Sequence, residues 1–320
     1  MDFVYFVEFV PTAARGYRAP IVVLFGIMAF FYMAAVWATI LPSGWRNFVA
    51  AAAIPYAMLA IGRLFWRWES PRFLMTKGRR EAAQYILSCM ASKNGTQMPL
   101  GQLQLPPAAN TNVPSFQVSS KQIESATQPL SYPVIPIVTV SALFFLQSFS
   151  YYALTFWFNS FSAMKEVSLT HALLLIGFAE LPGLAATTVS LEYIGRRTTL
   201  MVNFIGSALC TGALYLFGDI RSAFLALFGL SYFFIVGNWT SIYVTTPEML
   251  PTSCRATAFS IAGACGKIAG MVSPLSIGWI LDRGVHPSSV MALIAGCFLA
   301  ACLMSGLLLV ETHGINLLDV

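Results

Sequence analysis

Apolar runs of about twenty residues or more alternate with short polar breaks along most of the chain. An α-helix needs about 20 predominantly apolar residues to cross a bilayer. On that ruler the pattern predicts eight spans, at about 20–41, 47–66, 134–158, 168–190, 198–218, 222–245, 256–281 and 288–310. The opening Met1 to Val10 is apolar but too short to cross, and it reads as the last turns of a helix that begins earlier. It carries Asp2 and Glu8 and has no basic start, unlike a signal peptide. One long polar segment, 67–132, separates the second and third spans. It begins with Glu69-Ser70-Pro71-Arg72 and passes through Lys77, Gly78, Arg79 and Arg80 into an amphipathic stretch, Glu81 to Met90. Residues 93–131 are rich in Gln, Pro, Asn and Ser, with too few apolar positions for a core, and are expected to be disordered.

Composition agrees with the pattern. Of 320 residues, 57% are hydrophobic and 10% charged, with a mean hydropathy of +0.71. Soluble domains carry about 25% charged residues, so the chain reads as an all-α integral membrane protein. A net charge of +5 would also suit a nucleic-acid partner, but the basic residues sit in short clusters between apolar runs. Thirteen of the 18 fall on one side of the predicted topology (15, 18, 63, 67, 72, 77, 79, 80, 93, 121, 196, 197 and 255). That side is expected to be cytoplasmic, and it holds the C-terminal tail. The patterns Asn94-Gly95-Thr96 and Asn238-Trp239-Thr240 then lie in cytoplasm and membrane, where no glycan is added. The six cysteines form no CxxC pair and mostly lie inside apolar runs, as small core residues do.

A nine-residue pattern occurs twice. Glu8-Phe9-Val10-Pro11-Thr12-Ala13-Ala14-Arg15-Gly16 and Glu248-Met249-Leu250-Pro251-Thr252-Ser253-Cys254-Arg255-Ala256 share Glu, Pro, Thr and Arg at an offset of 240 residues. A repeat at that distance in an apolar chain implies two related halves. Each Glu and Arg can pair across its own turn or with neighbouring helix ends, and such pairs can hold two bundles together in one state and release them in another. Ordinary helix-end charges are the plainer reading of either copy alone. A third turn, Leu191-Glu192-Tyr193-Ile194-Gly195-Arg196-Arg197, combines a glycine bend with Glu192, which can face the start of the following helix.

Taken with Glu69-Ser70-Pro71-Arg72…Lys77-Gly78-Arg79 and the tail Glu311-Thr312-His313-Gly314…Leu317, these motifs resemble the major facilitator superfamily. Its members are twelve-helix transporters of two six-helix halves, and its sugar-porter branch carries Pro-Glu-Ser-Pro-Arg, Gly-Arg-Arg and Pro-Glu-Thr-x-Gly signatures at these places. Phe149-Ser150-Tyr151-Tyr152-Ala153-Leu154, Glu180-Leu181-Pro182-Gly183 and Thr246-Pro247-Glu248 look most like the synaptic-vesicle-protein-related group, whose kin are organic cation and anion transporters. Trp68 replaces the usual Pro before Glu69, and Glu192 stands where an Asp is usual. The resemblance implies that the eight spans correspond to helices five to twelve, with residues 1–10 the end of helix four and helices one to four missing. Residues 1–66 would be a remnant of the first half, 67–132 a cytoplasmic loop, 133–310 the six-helix second half, and 311–320 a cytoplasmic tail. Glu8, Arg15, Glu69, Arg72, Glu192, Gly195, Arg196, Arg197, Glu248 and Arg255 would form its gating motifs.

Two ionisable residues lie deep in predicted spans, Glu180 and Lys267. A charge at mid-bilayer costs about 2.5–3.5 kcal/mol on insertion scales, so each should face the bundle interior or a wet cavity. A salt bridge locking two helices would also explain them. Lys267 falls where the organic anion transporters carry Arg and the cation transporters an acid, which implies an organic anion or zwitterion as solute. Glu180 could carry a coupled proton, and no other cofactor is implied. Gln147, Tyr151, Tyr152, Trp157, Asn238 and Trp239 are further candidates for the solute cavity, although each alone is as readily a packing residue. The Gly-rich 262–270 stretch permits close helix approach and bending.

The expected function is a secondary transporter working by alternating access in the plasma membrane or an intracellular vesicle membrane. Its partners would be the lipid bilayer and a small organic solute, with no nucleic acid; nothing in the sequence speaks to an oligomeric state. The alternative is a non-transporting fragment or receptor-like vesicle protein that keeps the fold. An enzyme is disfavoured: His171, His286 and His313 are far apart, and no His-Glu-x-x-His, Gly-x-Ser-x-Gly or nucleotide-binding Gly-x-x-x-x-Gly-Lys-Ser/Thr pattern occurs.

Overall fold

The computed structural model describes residues 2–10, 15–65, 69–98, 101, 103, 134–163, 168–250, 254–308 and 311. Two short helices, α1 (Asp2–Phe9) and α2 (Arg15–Arg18), lead into the long α3 (Ile21–Ile40) and α4 (Trp45–Phe65). The small helices α5 (Pro71–Thr76) and α6 (Arg80–Lys93) follow. Six long helices complete the described chain: α7 (Val134–Ala163), α8 (Leu169–Tyr193), α9 (Arg196–Phe217), α10 (Arg221–Met249), α11 (Arg255–Asp282) and α12 (Pro287–Leu308). Among the described residues, eight helices are long and apolar enough to cross a membrane, and all eight coincide with predicted spans. The largest differences are extensions, of α7 to Ala163 and of α10 to Met249. The amphipathic stretch from Glu81 lies within α6, while most of the 93–131 linker lies outside the described residues.

Local chemistry sets several ends. Ser168 caps α8 by accepting from the His171 N–H at 3.4 Å, which satisfies a donor the helix leaves open. The α8–α9 turn is made by Gly195 at φ +98°, a region that disfavours side chains. Pro55, Pro182, Pro247 and Pro274 lie inside α4, α8, α10 and α11. Membrane helices tolerate them because neighbours satisfy the freed backbone groups.

Small residues bring the six long helices together. Gly270 on α11 meets the Tyr152 ring of α7, where a Cβ would stand 2.7 Å from the ring. On α8, Gly183 seats against the Phe233 carbonyl of α10, only 2.3 Å from where a Cβ would be. Gly206 on α9 receives the Phe234 ring of α10. Without a hydrophobic drive between helices in lipid, such close backbone approach is how they associate. Polar side chains add to the α8–α9–α10 contact. Asn203, Ser207 and Thr211 repeat at four-residue intervals on α9, and Asn238 of α10 donates to the Ser207 hydroxyl at 2.9 Å.

The remaining helices attach around this bundle. α3 packs on α8, with the Phe31 ring over Gly177 and edge-on to Phe178. α4 packs mainly on α3, where Tyr32 donates to the Ala51 carbonyl at 2.5 Å, and it is exposed over most of its length. α1 lies against α10 and α11, its Phe3 ring beside Tyr243 and Phe259. α5 and α6 share a small satellite core of Leu74, Met75 and Ala83.

Candidate functional site

Charged side chains collect at one end of the bundle, where α8, α10 and α1 finish and α9 and α11 begin. The Arg255 side chain is fully buried there. Its Nε donates to the carbonyls of Pro247 at 2.8 Å and Leu250 at 3.1 Å, and its Nη1 donates to Glu8 Oε1 at 3.3 Å. Arg196 is almost as buried. Its Nη1 donates to the Leu191 carbonyl at 2.8 Å, its Nε lies 3.4 Å from Glu248 Oε2, and its Nη2 lies 3.8 Å from Glu192 Oε1. The Glu192 carboxylate occupies the space above Gly16, where a Cβ would stand 1.8 Å from Oε1. Glu311 completes the group. Its two oxygens accept from the Arg196 N–H at 2.8 Å and the Arg197 N–H at 3.1 Å, capping α9. The Arg197 side chain donates to the Gly306 carbonyl of α12. Beside Arg255, burial pushes the Cys254 thiol up, against the opposing pull of the guanidinium.

Among the described side chains of the repeated motif, the second of the two pairings occurs: partners come from neighbouring helix ends. Glu248 meets Arg196, and Arg255 meets Glu8 of the other copy. Arg15 lies in α2, but its side chain is not among those described, and Pro11–Ala14 and Pro251–Ser253 lie outside the described residues. Glu69 is exposed just before α5, Arg72 is half-buried in it, and the buried Ser70 caps that helix.

Deeper in the bundle, α7 and α10 form a continuous aromatic wall. Tyr151 contacts Tyr152, Tyr232 and Trp239 at ring-centroid distances of 5.2, 6.1 and 6.1 Å. Trp239 stacks on Tyr243 at 5.5 Å, and Phe259 of α11 lies beyond at 5.9 Å. Tyr151, Tyr152, Trp239 and Tyr243 keep partly exposed edges. Gln147 and Asn238 stand behind the wall, fully buried. Gln147 donates to the Ile235 carbonyl at 3.3 Å, and Asn238 bonds Ser207 on α9. Each amide keeps one buried oxygen without a partner among the described residues. The Trp157 side chain is not among those described.

The two deep ionisable residues part company. Glu180 is 4% exposed. Lys267 is exposed on α11, one turn from Gly270 and the Tyr152 ring. Among the described residues no cluster of His, Cys, Asp or Glu could hold a metal ion.

Three features were not legible in the sequence. Glu311 acts 115 residues from the amide it caps, so no local spacing points to it. Gly16 has a neighbour only through the fold. The Thr155–Tyr232 hydroxyl pair, 2.8 Å apart, links α7 to α10.

Helices long and apolar enough to span a membrane, close-packed through glycines and joined at one end by buried arginine–carboxylate pairs, define a polytopic membrane protein. The chain belongs to the "Sugar (and other) transporter" family of the major facilitator superfamily, whose model matches residues 4–320. It is 26% identical to the synaptic vesicle 2-related protein of Bos taurus over 97% of this chain and 58% of that protein. It is also 26% identical to the organic cation/carnitine transporter 7 of Arabidopsis thaliana, over 98% of this chain and 70% of that protein. The fold matches the proton:xylose symporter XylE bound to 6-bromo-6-deoxy-D-glucose with a TM-score of 0.68 at 19% identity, covering 98% of this chain and 68% of that one. The likeness establishes the major facilitator fold.

Proposed function

We propose that the chain forms most of a secondary transporter that moves a small organic solute, an anion or zwitterion in preference, by alternating access. In this reading α1, α3 and α4 belong to the first half (residues 1–66), residues 67–132 form the connecting loop, and α7–α12 make up the second half (133–310). The arginine-rich end is cytoplasmic, as is the tail (311–320), in a plasma or vesicle membrane. The observation that carries the reading is the buried Glu8–Arg255 pair, with Oε1 and Nη1 3.3 Å apart. It ties the first-half remnant to the second half at the end where an inward gate must open. Tyr151, Tyr152 and Trp239 line the solute path with Glu180 beside them, and Gln147 and Asn238 offer unpaired oxygens behind. Lys267 supplies the positive charge that favours an anion, and a proton is the coupling ion.

The chain spans 58% of the length of the synaptic vesicle 2-related protein it matches. The uncovered faces of α4 and α11 favour a second reading for the 320-residue product by itself, that of a membrane protein that carries no flux. One experiment addresses both. The chain is reconstituted in liposomes alone and joined to the first four spans of a relative, and uptake of benzoate and tetraethylammonium is compared. The joined form is predicted to take up benzoate, and Lys267→Ala to lower that uptake about tenfold, the scale of one charge-assisted hydrogen bond, while leaving tetraethylammonium unchanged. Unchanged benzoate uptake in Lys267→Ala would sink the anion preference. Absence of any flux in the joined form would sink the transport reading, and flux by the chain alone would remove the second reading.

A further inference from the structure

Glu180 is the one acidic side chain among the described residues that lies near the middle of a long span. Its setting is built by glycines one turn to either side. At Gly177 the Phe31 ring of α3 comes to 2.9 Å from where a Cβ would be, and at Gly183 the Phe233 carbonyl of α10 comes to 2.3 Å. Residues three apart share a helix face. The carboxyl therefore lies where α3 and α10 close over α8.

The groups around it offer no counter-charge. α3 packs here with Ile27 and Phe31 and contains no Asp, Glu, Lys, Arg or His. α7 contains no Asp, Glu, Lys, Arg or His, and the charged residues of α10, Arg221 and Glu248, lie at its two ends. α9 meets α8 through Asn203 and Thr187, and its arginines lie at its far end. On α8 itself, His171 and Glu192 are about 14 and 18 Å away along the axis. No ion pair among the described residues includes Glu180.

Burial without a cation opposes the charged form of the carboxyl.

We propose that Glu180 is a proton-binding site whose occupancy follows the α3–α8 contact. The acid O–H is intact while α3 and α10 cover it. When α3 parts from α8, water enters, the O–H bond breaks, the proton leaves to water and the carboxylate is hydrated. The protonation stands on the packing alone; its use to couple one proton to each transport cycle rests on the transporter reading above.

Infrared spectroscopy of the 320-residue chain in liposomes tests it. The carbonyl stretch of a protonated carboxylic acid is expected to persist at neutral pH, to vanish in Glu180→Gln and to remain in Glu248→Gln. Phe31→Ala, which thins the cover, is expected to move loss of the band to lower pH. The inference is overturned by absence of the band at neutral pH in the unmodified chain, an outcome that needs no variant to fold. It is equally overturned by a band that survives in Glu180→Gln. Failure of the joined form to carry solute, by contrast, would count against the transporter reading and leave the band unaffected.

Discussion

Arg255 is the residue on which the charged end depends. Its guanidinium is out of water, held by two carbonyls and one carboxylate. Removing one member of a buried pair leaves an uncompensated charge and costs about 3–5 kcal/mol. Glu8→Leu is therefore predicted to destabilise the chain by that amount. Arg255→Leu should cost at least as much, since it also strips the Pro247 and Leu250 carbonyls. The double variant should fall short of the sum by about 0.5–3 kcal/mol. Thermal unfolding in detergent measures all three, and strict additivity would show that the two side chains act independently. The repeat that contains these residues is visible in the sequence, and so is the existence of charge pairing. The choice of partner is not. Glu8 and Arg255 lie 247 residues apart, and only the packing of α1 against α10 and α11 brings them together.

At the scale of elements, apolar run length was enough to locate all eight spans, because lipid leaves the backbone few alternatives to a helix. What run length cannot supply is which faces meet. Contacts such as Gly183 on Phe233 and Gly270 on Tyr152 depend on helix rotation, and an apolar sequence on every face carries little rotational signal. The amides illustrate the limit: Gln147 and Asn238 read as cavity candidates, yet each donates to a packed neighbour. The α8–α9 turn shows the same dependence. Gly195 was legible as a bend, but the group that satisfies the first N–H donors of α9 is Glu311, beyond the end of α12. Glu311→Ala is predicted to weaken the start of α9 by about 0.5–2 kcal/mol. Amide hydrogen exchange at Arg196 and Arg197 should speed up accordingly, while exchange in the middle of α9 stays as it was. Unchanged exchange at those two amides would mean that other acceptors hold them.

For the whole molecule, the contacts of α1 on α10 and α11, of α3 on α8, and of Glu192 on Gly16 form one seam. It divides the helices before residue 67 from the six that follow residue 133. The charged end closes that seam at one side of the membrane, the aromatic wall lies further along α7 and α10, and Glu180 is buried where α3 crosses α8. A transporter that alternates its access must open such a seam and close it again. The most direct test is a distance across it. Spin labels at the exposed positions Arg18 and Thr257, in a cysteine-free background in liposomes, report the separation of α2 from α11 by double electron–electron resonance. The account predicts two distance populations, with Arg255→Leu depleting the shorter one. A single population that Arg255→Leu leaves unmoved would contradict it.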